Sequence, residues 1–311
     1  MRIMWLWLCV FLATVTLAAP APAQTWADRT TLGIGRLFSN DFFGDGGDRW
    51  RTGSYAVSVM RGDGWDGSPP GWGEGPLLEW RFRSEIIAPR SLSGPRADDR
   101  PYAASFAFGL HSHWSLGPGE VAAGADLVTT GPQTGLGRLM ANLHERFDLP
   151  RIDDSVLRSQ IGDGVHPHVS VAYAQPVRIA SSVTLRPFAE AQAGVEDLAR
   201  LGADVIVGGA VDGSLWLRDI PSGQLYRGIE GPGRGAALTF GADWASVGGS
   251  IWLPESRGIL AEPERWRARA GVHWQVAPDT SFFYGLSWLS PEVVGQGAGQ
   301  LTGQLKLNFN F

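Results

Sequence analysis

The last twelve residues, QLTGQLKLNFNF, alternate without a break. Leu301, Gly303, Leu305, Leu307, Phe309 and Phe311 fall on one face, and Gln300, Thr302, Gln304, Lys306, Asn308 and Asn310 on the other. A period of two gives a strand with one apolar and one polar face. In ERWRARAGVHWQV, Trp266, Ala268, Ala270, Val272, Trp274 and Val276 oppose Arg265, Arg267, Arg269, His273 and Gln275; three arginines on one strand face require a hydrated interior. LEWRFRSE sets Trp80 and Phe82 against Glu79, Arg81, Arg83 and Glu85, and LRPFAEAQAGVE sets Ala189, Ala191 and Ala193 against Arg186, Glu190 and Gln192. Strands are predicted near 31–39, 52–61, 75–87, 101–114, 119–129, 165–178, 182–195, 201–211, 232–252, 262–276, 280–290 and 300–311. Twelve is an even number, as closure of an antiparallel single-chain barrel requires.

A soluble sandwich alternates too, so three further features decide the class. The chain opens with a secretion signal, ends in an aromatic residue on an alternating strand, and places Trp near strand ends as an interfacial girdle does. The expected fold is all-β: a twelve-stranded antiparallel transmembrane barrel in the outer membrane, its last strand, closing in Phe311, offered to the barrel assembly machinery. A monomer is expected.

Composition agrees, because 42 Gly and 14 Trp in 311 residues are too many for a helical protein. Residues 1–23 read as a signal peptide with cleavage before Gln24, leaving 24–311 as the barrel. The apolar run from Ile3 to Leu17 is shorter than the ~20 residues of a membrane helix. Cys9, the single cysteine, lies in that leader, so the mature chain has neither disulfides nor thiolate metal sites. A net charge of -5 argues against a nucleic-acid partner.

With both termini on the inner side, the outward connections are 40–51, 88–100, 130–164, 196–200, 253–261 and 291–299. The third is the longest. Within it GLGRLMANLHERFDL spaces Leu136, Leu139, Met140, Leu143 and Phe147 for an amphipathic helix over the barrel mouth or against its rim. Residues 212–231 are long for an inner turn and have room for an extra hairpin.

The first outward loop, SNDFFGDGGDRWRTGSY, concentrates the candidate chemistry. Asn40 and Asp41 cap the outer end of the first strand, and Thr52 begins the second across the same hairpin. Carboxylates and carbonyls are hard oxygen ligands that suit Ca²⁺, although the same composition also describes a solvated glycine-rich turn. Two His pairs at i, i+2, His166 with His168 and His111 with His113, share strand faces but lack a visible third ligand. No Ser elbow accompanies any His.

NDFFGDGGDRWRTG resembles the first motif of the LpxR-like lipid A 3'-O-deacylase family, in which Asn-Asp ends strand one and Asp-Arg and Thr-x-Gly follow. DDRPYAASFAFGL is similar to that family's Asp-Arg-Pro-Tyr-Ala-Gly strand, with Ala104 where Gly is usual. GADLVTTGPQTGLGRLMANLHERF resembles its Gly-Pro-x-x-Gly segment leading through a short helix to His, and SVGGSIWLPES is weakly similar to its Asn-Ile-Phe-Leu-Asp-Gly strand end. The resemblance covers most of the mature chain. It implies a twelve-stranded barrel that cuts the ester-linked acyloxyacyl chain at the 3' position of lipid A with Ca²⁺ as cofactor, lipopolysaccharide being the substrate. It also implies that Asn40, Asp41, Thr52 and His144 form the active site, with His144 as the base, Asp41 on the metal, and Asn40 and Thr52 orienting water or completing the anion-stabilising shell. There are departures: Met140 stands where the family has Gln and Pro150 where it has Glu. Asp148, four residues after His144 on the same helical face, has two readings: a substitute as orienter or ligand, or a helix-end charge in solvent. Those departures keep open an inactive lipid-binding or structural barrel of the same fold, and a small channel is the other alternative.

Overall fold

The computed structural model describes residues 29–96, 99–277 and 280–309. The signal peptide, Cys9, the cleavage point, Asp98 and Phe311 lie outside the described residues. Strands β1 (Thr30–Asn40), β2 (Trp50–Gly62), β3 (Leu77–Ala88), β4 (Ala103–Leu116), β5 (Gly119–Thr130) and β6 (Gly164–Ala174) run as an antiparallel meander. A short strand β7 (Val177–Ala180) extends the hairpin into β8 (Val183–Ala193), which pairs with both β6 and β9 (Glu196–Val207). The wall is completed by β12 (Gly235–Ser250), β13 (Glu264–Ala277), β14 (Thr280–Leu289) and β15 (Gln300–Phe309), and β15 pairs back onto β1. Twelve wall strands close the ring, as the alternation predicts.

The two faces separate as expected. On β13, Trp266, Val272 and Trp274 are exposed to the outside, while Arg265, Arg267, Arg269, His273 and Gln275 are buried within. On β15, Gln300, Thr302, Gln304, Lys306 and Asn308 all face inward. An apolar outer wall with a charged lumen is the arrangement of an outer-membrane barrel, and none of the described helices is long and apolar enough to cross a membrane.

Inside, the charges neutralise one another. Arg269 meets Asp204 at 2.6 Å, and Arg267 meets Asp243 at 3.0 Å. Near the outer end Arg51 joins Glu85 at 2.5 Å, Glu196 at 3.0 Å and Glu292 at 2.9 Å, with Arg265 on Glu196 at 2.8 Å. Arginines, glutamates and aspartates thus form ladders of paired charge across the lumen.

Residues 212–231 do hold an additional hairpin, but it is not part of the wall. Strands β10 (Leu215–Arg218) and β11 (Leu225–Ile229) fold into the lumen, where Tyr226 meets Ser58 at 3.0 Å, Arg227 donates to Gln275 at 2.6 Å, and Gln224 donates to the Ala270 carbonyl at 2.9 Å. Gly33 on β1 makes room for it, since a Cβ there would lie 2.4 Å from the Gly228 carbonyl oxygen. One strand start is corrected: β9 begins at Glu196, not near 201, and the outward connection shrinks to the turn at Gly194 and Val195. Glu196 and Arg200 are both buried in the lumen, where Glu196 pairs with Arg51 and Arg265 and Arg200 with Asp243.

Candidate active site

The first outer loop is short of regular structure and rich in side-chain ties. Asn40 ends β1 in an extended conformation and caps a single 3-10 turn, its Oδ1 accepting from the Phe42 N–H at 2.8 Å. That turn folds the next residue, Asp41, inward until it is 1% exposed. Asp41 Oδ2 accepts from the Arg49 N–H at 2.8 Å and is approached by Gln300 Nε2 at 3.4 Å. Its Oδ1 lies 3.0 Å from Thr52 Oγ1.

Thr52 reaches Asp41 because β2 is irregular against β3: the register shifts between Trp50 and Gly53. The bulge turns Arg51 into the lumen and Thr52 toward the loop, which is how bulges re-aim side chains beside active sites. Thr52 Oγ1 also lies 3.1 Å from Asp48 Oδ1. A hydroxyl has one proton, so only one of the two carboxylates can receive it. The other faces oxygen lone pairs unless a proton or a cation intervenes. Burial, aggravated by the neighbouring Asp48 and Asp45 carboxylates, pushes the Asp41 pKa up to about 6. Asp48 and Trp50 occupy left-handed backbone, at φ 46° and 57°; for Trp this is strained, a cost of order 1–3 kcal/mol that persists where the surroundings hold it.

The third outer loop brings the imidazole. Helix α1 (Leu136–Arg146) packs Leu136, Met140 and Ala141 against Tyr102, Ala104, Ile152 and Val156, the last from a short helix α2 (Asp154–Arg158). The amphipathic helix therefore lies on the rim above β4, as its spacing predicts. His144, on its last turn, is 3% exposed. Its Nδ1 is 2.7 Å from the Pro150 carbonyl oxygen. A carbonyl only accepts, so Nδ1 carries a proton, and whenever the ring is neutral its lone pair is on Nε2. Nε2 lies 3.7 Å from Asp48 Oδ2, too far for a direct hydrogen bond, and the carboxylate attracts the ring when both of its nitrogens are protonated. Asp41, Thr52, Asp48 and His144 thus form one chain of contacts, with Asn40 fixing the turn that carries its first member.

Asp148 is placed elsewhere. Helix α1 stops at Arg146, and Asp148 lies beyond it in left-handed conformation at φ 54°, exposed. Counting four residues put it on the helical face of His144 only if the helix continued. The orienting contact comes instead from the backbone of Pro150, the residue that the sequence marks as a departure. Asp48 is the residue beside His144 and Thr52 that sequence reasoning missed. Asp48 was visible in the Asp-Arg pair of the first motif. The Tyr102 phenol is 1% exposed, and burial, then the Asp48 carboxylate, hold it above the ordinary tyrosine range, so it stays a proton donor. The paired histidines have local partners: His111 with Asp126 at 3.2 Å, His113 with Glu79 at 2.8 Å, and His166 with Thr130 at 3.3 Å, while His168 accepts from the Val195 N–H at 3.3 Å.

For a cation the loop offers hard donors: the Asp41 and Asp48 carboxylates and the Thr52 hydroxyl between them. They fit Ca²⁺ in kind. Among the described residues no three His, Cys, Asp or Glu side chains converge as a metal cage, so the remaining ligands would be carbonyls and water.

No family model matches the chain, and no curated protein matches it in sequence. Among solved structures it is similar to LpxR from Salmonella typhimurium, with a TM-score of 0.72 at 15% identity over 90% of this chain and 100% of that one. The β domain of the Bordetella autotransporter BrkA aligns over 91% of this chain and 100% of its own, at 10% identity and a TM-score of only 0.42. The first likeness shows an LpxR-like barrel fold; the second is too distant to carry an argument.

Proposed function

We propose that the protein is an outer-membrane esterase of the lipid A deacylase type, hydrolysing an ester-linked acyl chain of lipid A from the outer leaflet. The observation that carries this reading is the His144 tautomer: Nδ1–H held by the Pro150 carbonyl, and a basic Nε2 facing the loop of Asp41, Asp48 and Thr52. A neutral imidazole with a fixed tautomer is a general base suited to neutral pH. In this reading His144 Nε2 takes a proton from water as its oxygen bonds to the acyl carbonyl carbon. The carbon–oxygen ester bond then breaks, and the proton passes to the departing alkoxide, leaving a fatty acid and an alcohol. Asp48 stabilises the transient imidazolium through space. Asp41, Asp48 and Thr52 would hold Ca²⁺, which when bound supplies Lewis-acid polarisation of the carbonyl. Asn40 keeps the turn that presents Asp41.

The site's place on the rim supports lateral access by a lipid. Phe43 folds over the outside of the wall, where Tyr284 donates to its carbonyl at 3.1 Å, and Phe42 is 74% exposed beside it. The filled lumen weighs against the channel alternative. The inactive-barrel alternative draws on Met140, which packs in the apolar cluster under the helix and gives the site no polar group.

The test is mass spectrometry of lipid A after incubating the folded protein with lipopolysaccharide and Ca²⁺. Loss of one acyloxyacyl chain is expected, and His144→Ala should abolish it while leaving a heat-modifiable barrel. Unchanged lipid A with the folded wild-type protein would establish the inactive barrel instead.

A further inference from the structure

The first outer loop is docked on the start of β15. The ladder between β1 and β15 ends, on its outer side, with Asn40 opposite Gly303. Beyond that point β15 bonds to the loop instead: the Leu301 carbonyl accepts from the Asp45 N–H at 3.1 Å, and the Leu301 N–H donates to Asp45 Oδ2 at 3.2 Å. One residue earlier, Gln300 is 2% exposed and points inward from a backbone that β14 holds in register opposite Leu289.

Its carboxamide reaches the two peptide groups that flank Trp50. Oε1 accepts from the Arg51 N–H at 3.1 Å, while Nε2 donates to the Arg49 carbonyl at 2.5 Å and, with its second proton, approaches Asp41 Oδ2 at 3.4 Å. Reversing the amide would set Nε2 against an N–H and Oε1 against a carbonyl, so the partners fix its orientation. The side chain stands in for a strand peptide where β2 has left the ladder, since β2 pairs with β3 at Trp50 and resumes only at Gly53.

Trp50 is the residue that needs holding. It stands at φ 57°, where a bulky side chain is an outlier, and its ring is 4% exposed with the Arg49 guanidinium 4.8 Å above it. Relaxed to ordinary backbone, Trp50 would turn both neighbours with it. The Arg49 N–H would leave Asp41 Oδ2, Thr52 Oγ1 would leave Asp41 Oδ1, and Asp48, two residues before Trp50, would leave His144.

We propose that Gln300 is a positioning residue for the hydrolytic site: its amide locks Trp50 in left-handed backbone and so keeps Asp41, Asp48 and Thr52 in their chain of contacts with His144. The clamp on the loop is independent of the substrate; its bearing on hydrolysis rests on the lipid A reading. Because it acts on the reacting groups and not on lipid contacts, its loss lowers kcat and leaves KM nearly unchanged.

The clamp can be told from ordinary packing by removing the strain it opposes. Gln300→Met keeps the volume and deletes all three contacts. Glycine takes positive φ at no steric cost, so Trp50→Gly makes the clamp unnecessary, and Trp50→Asn does the same if glycine leaves too little folded barrel. Hydrogen exchange, read by mass spectrometry on the folded barrel in detergent with chelator, should show the amides of the first outer loop exchanging about tenfold faster in Gln300→Met, with the other outer loops and heat-modifiability unchanged. The kcat for deacylation should fall by about the same factor. In a Trp50→Gly background both effects of Gln300→Met should shrink to about twofold or less. A Gln300→Met loop that exchanges like wild type, or an effect just as large with glycine or asparagine at position 50, would overturn the clamp. Faster exchange with kcat intact would overturn the positioning role. Unchanged lipid A with the wild-type protein, alongside the expected exchange, would overturn the esterase reading and leave the clamp standing.

Discussion

Asp41→Asn should make the barrel more stable at neutral pH and inactive at once. The buried carboxylate has a folded pKa of about 6, above its ordinary 3.8. Between those values the native state retains a proton that the unfolded chain has released, so stability falls as pH rises from about 4 to about 6, by up to about 1.4 kcal/mol per unit, and is flat above. The accumulated cost at pH 8 is of order 2–3 kcal/mol. Asn removes it without changing shape. Its oxygen can accept from the Arg49 N–H, and its amide can donate to Thr52 Oγ1, which then gives its single proton to Asp48. The conflict of two carboxylates over one hydroxyl disappears. Urea unfolding in detergent with chelator, run from pH 4 to pH 8, should show the variant ahead by roughly 2 kcal/mol at pH 8 and level with wild type near pH 4. Excess Ca²⁺ should close the gap by stabilising the wild type alone. A variant that is less stable than wild type at pH 8, or a difference independent of pH, would refute the reasoning.

Other outcomes follow from the same contacts. Ca²⁺ binding by wild type should weaken about tenfold between pH 7 and pH 5, because Asp41 must be ionised to serve as a ligand; calorimetry at the two pH values checks it. Thr52→Val removes the donor to Asp41 Oδ1 and should shift the onset of Ca²⁺ binding to higher pH. Gly303→Leu should cut activity while sparing the barrel, because a Cβ there would lie 2.4 Å from the Phe43 carbonyl oxygen and displace the turn that carries Asp41; assay of deacylation beside heat-modifiability separates the two effects. Replacing residues 214–230 with a short Gly-Ser turn should open the lumen, and planar-bilayer conductance absent from wild type should appear.

The alternating pattern fixed which residues face lipid and which face the lumen, because a strand has no other period; Arg265, Arg267 and Arg269 could only point into water. It also set the number of wall strands, while the helical spacing of Leu136, Leu139, Met140, Leu143 and Phe147 set the helix of the third loop. The site was legible in part: Asn40, Asp41, Thr52 and His144 stand in motifs, and the structure places Asp41, Thr52 and His144 in one chain of contacts with Asp48. What sequence could not supply was anything set by where a chain bends in space. Asp148 and Pro150 are two residues apart, and only the end of α1 decides that the Pro150 carbonyl, not the Asp148 carboxylate, meets the imidazole. The β10–β11 hairpin likewise has an ordinary strand pattern, and whether it lies in the wall or fills the lumen depends on the space that the twelve-strand ring leaves inside. Asp48 became a neighbour of His144 through a left-handed turn and a bulge in β2, both of which arise from packing against distant strands and leave no periodic trace in the chain.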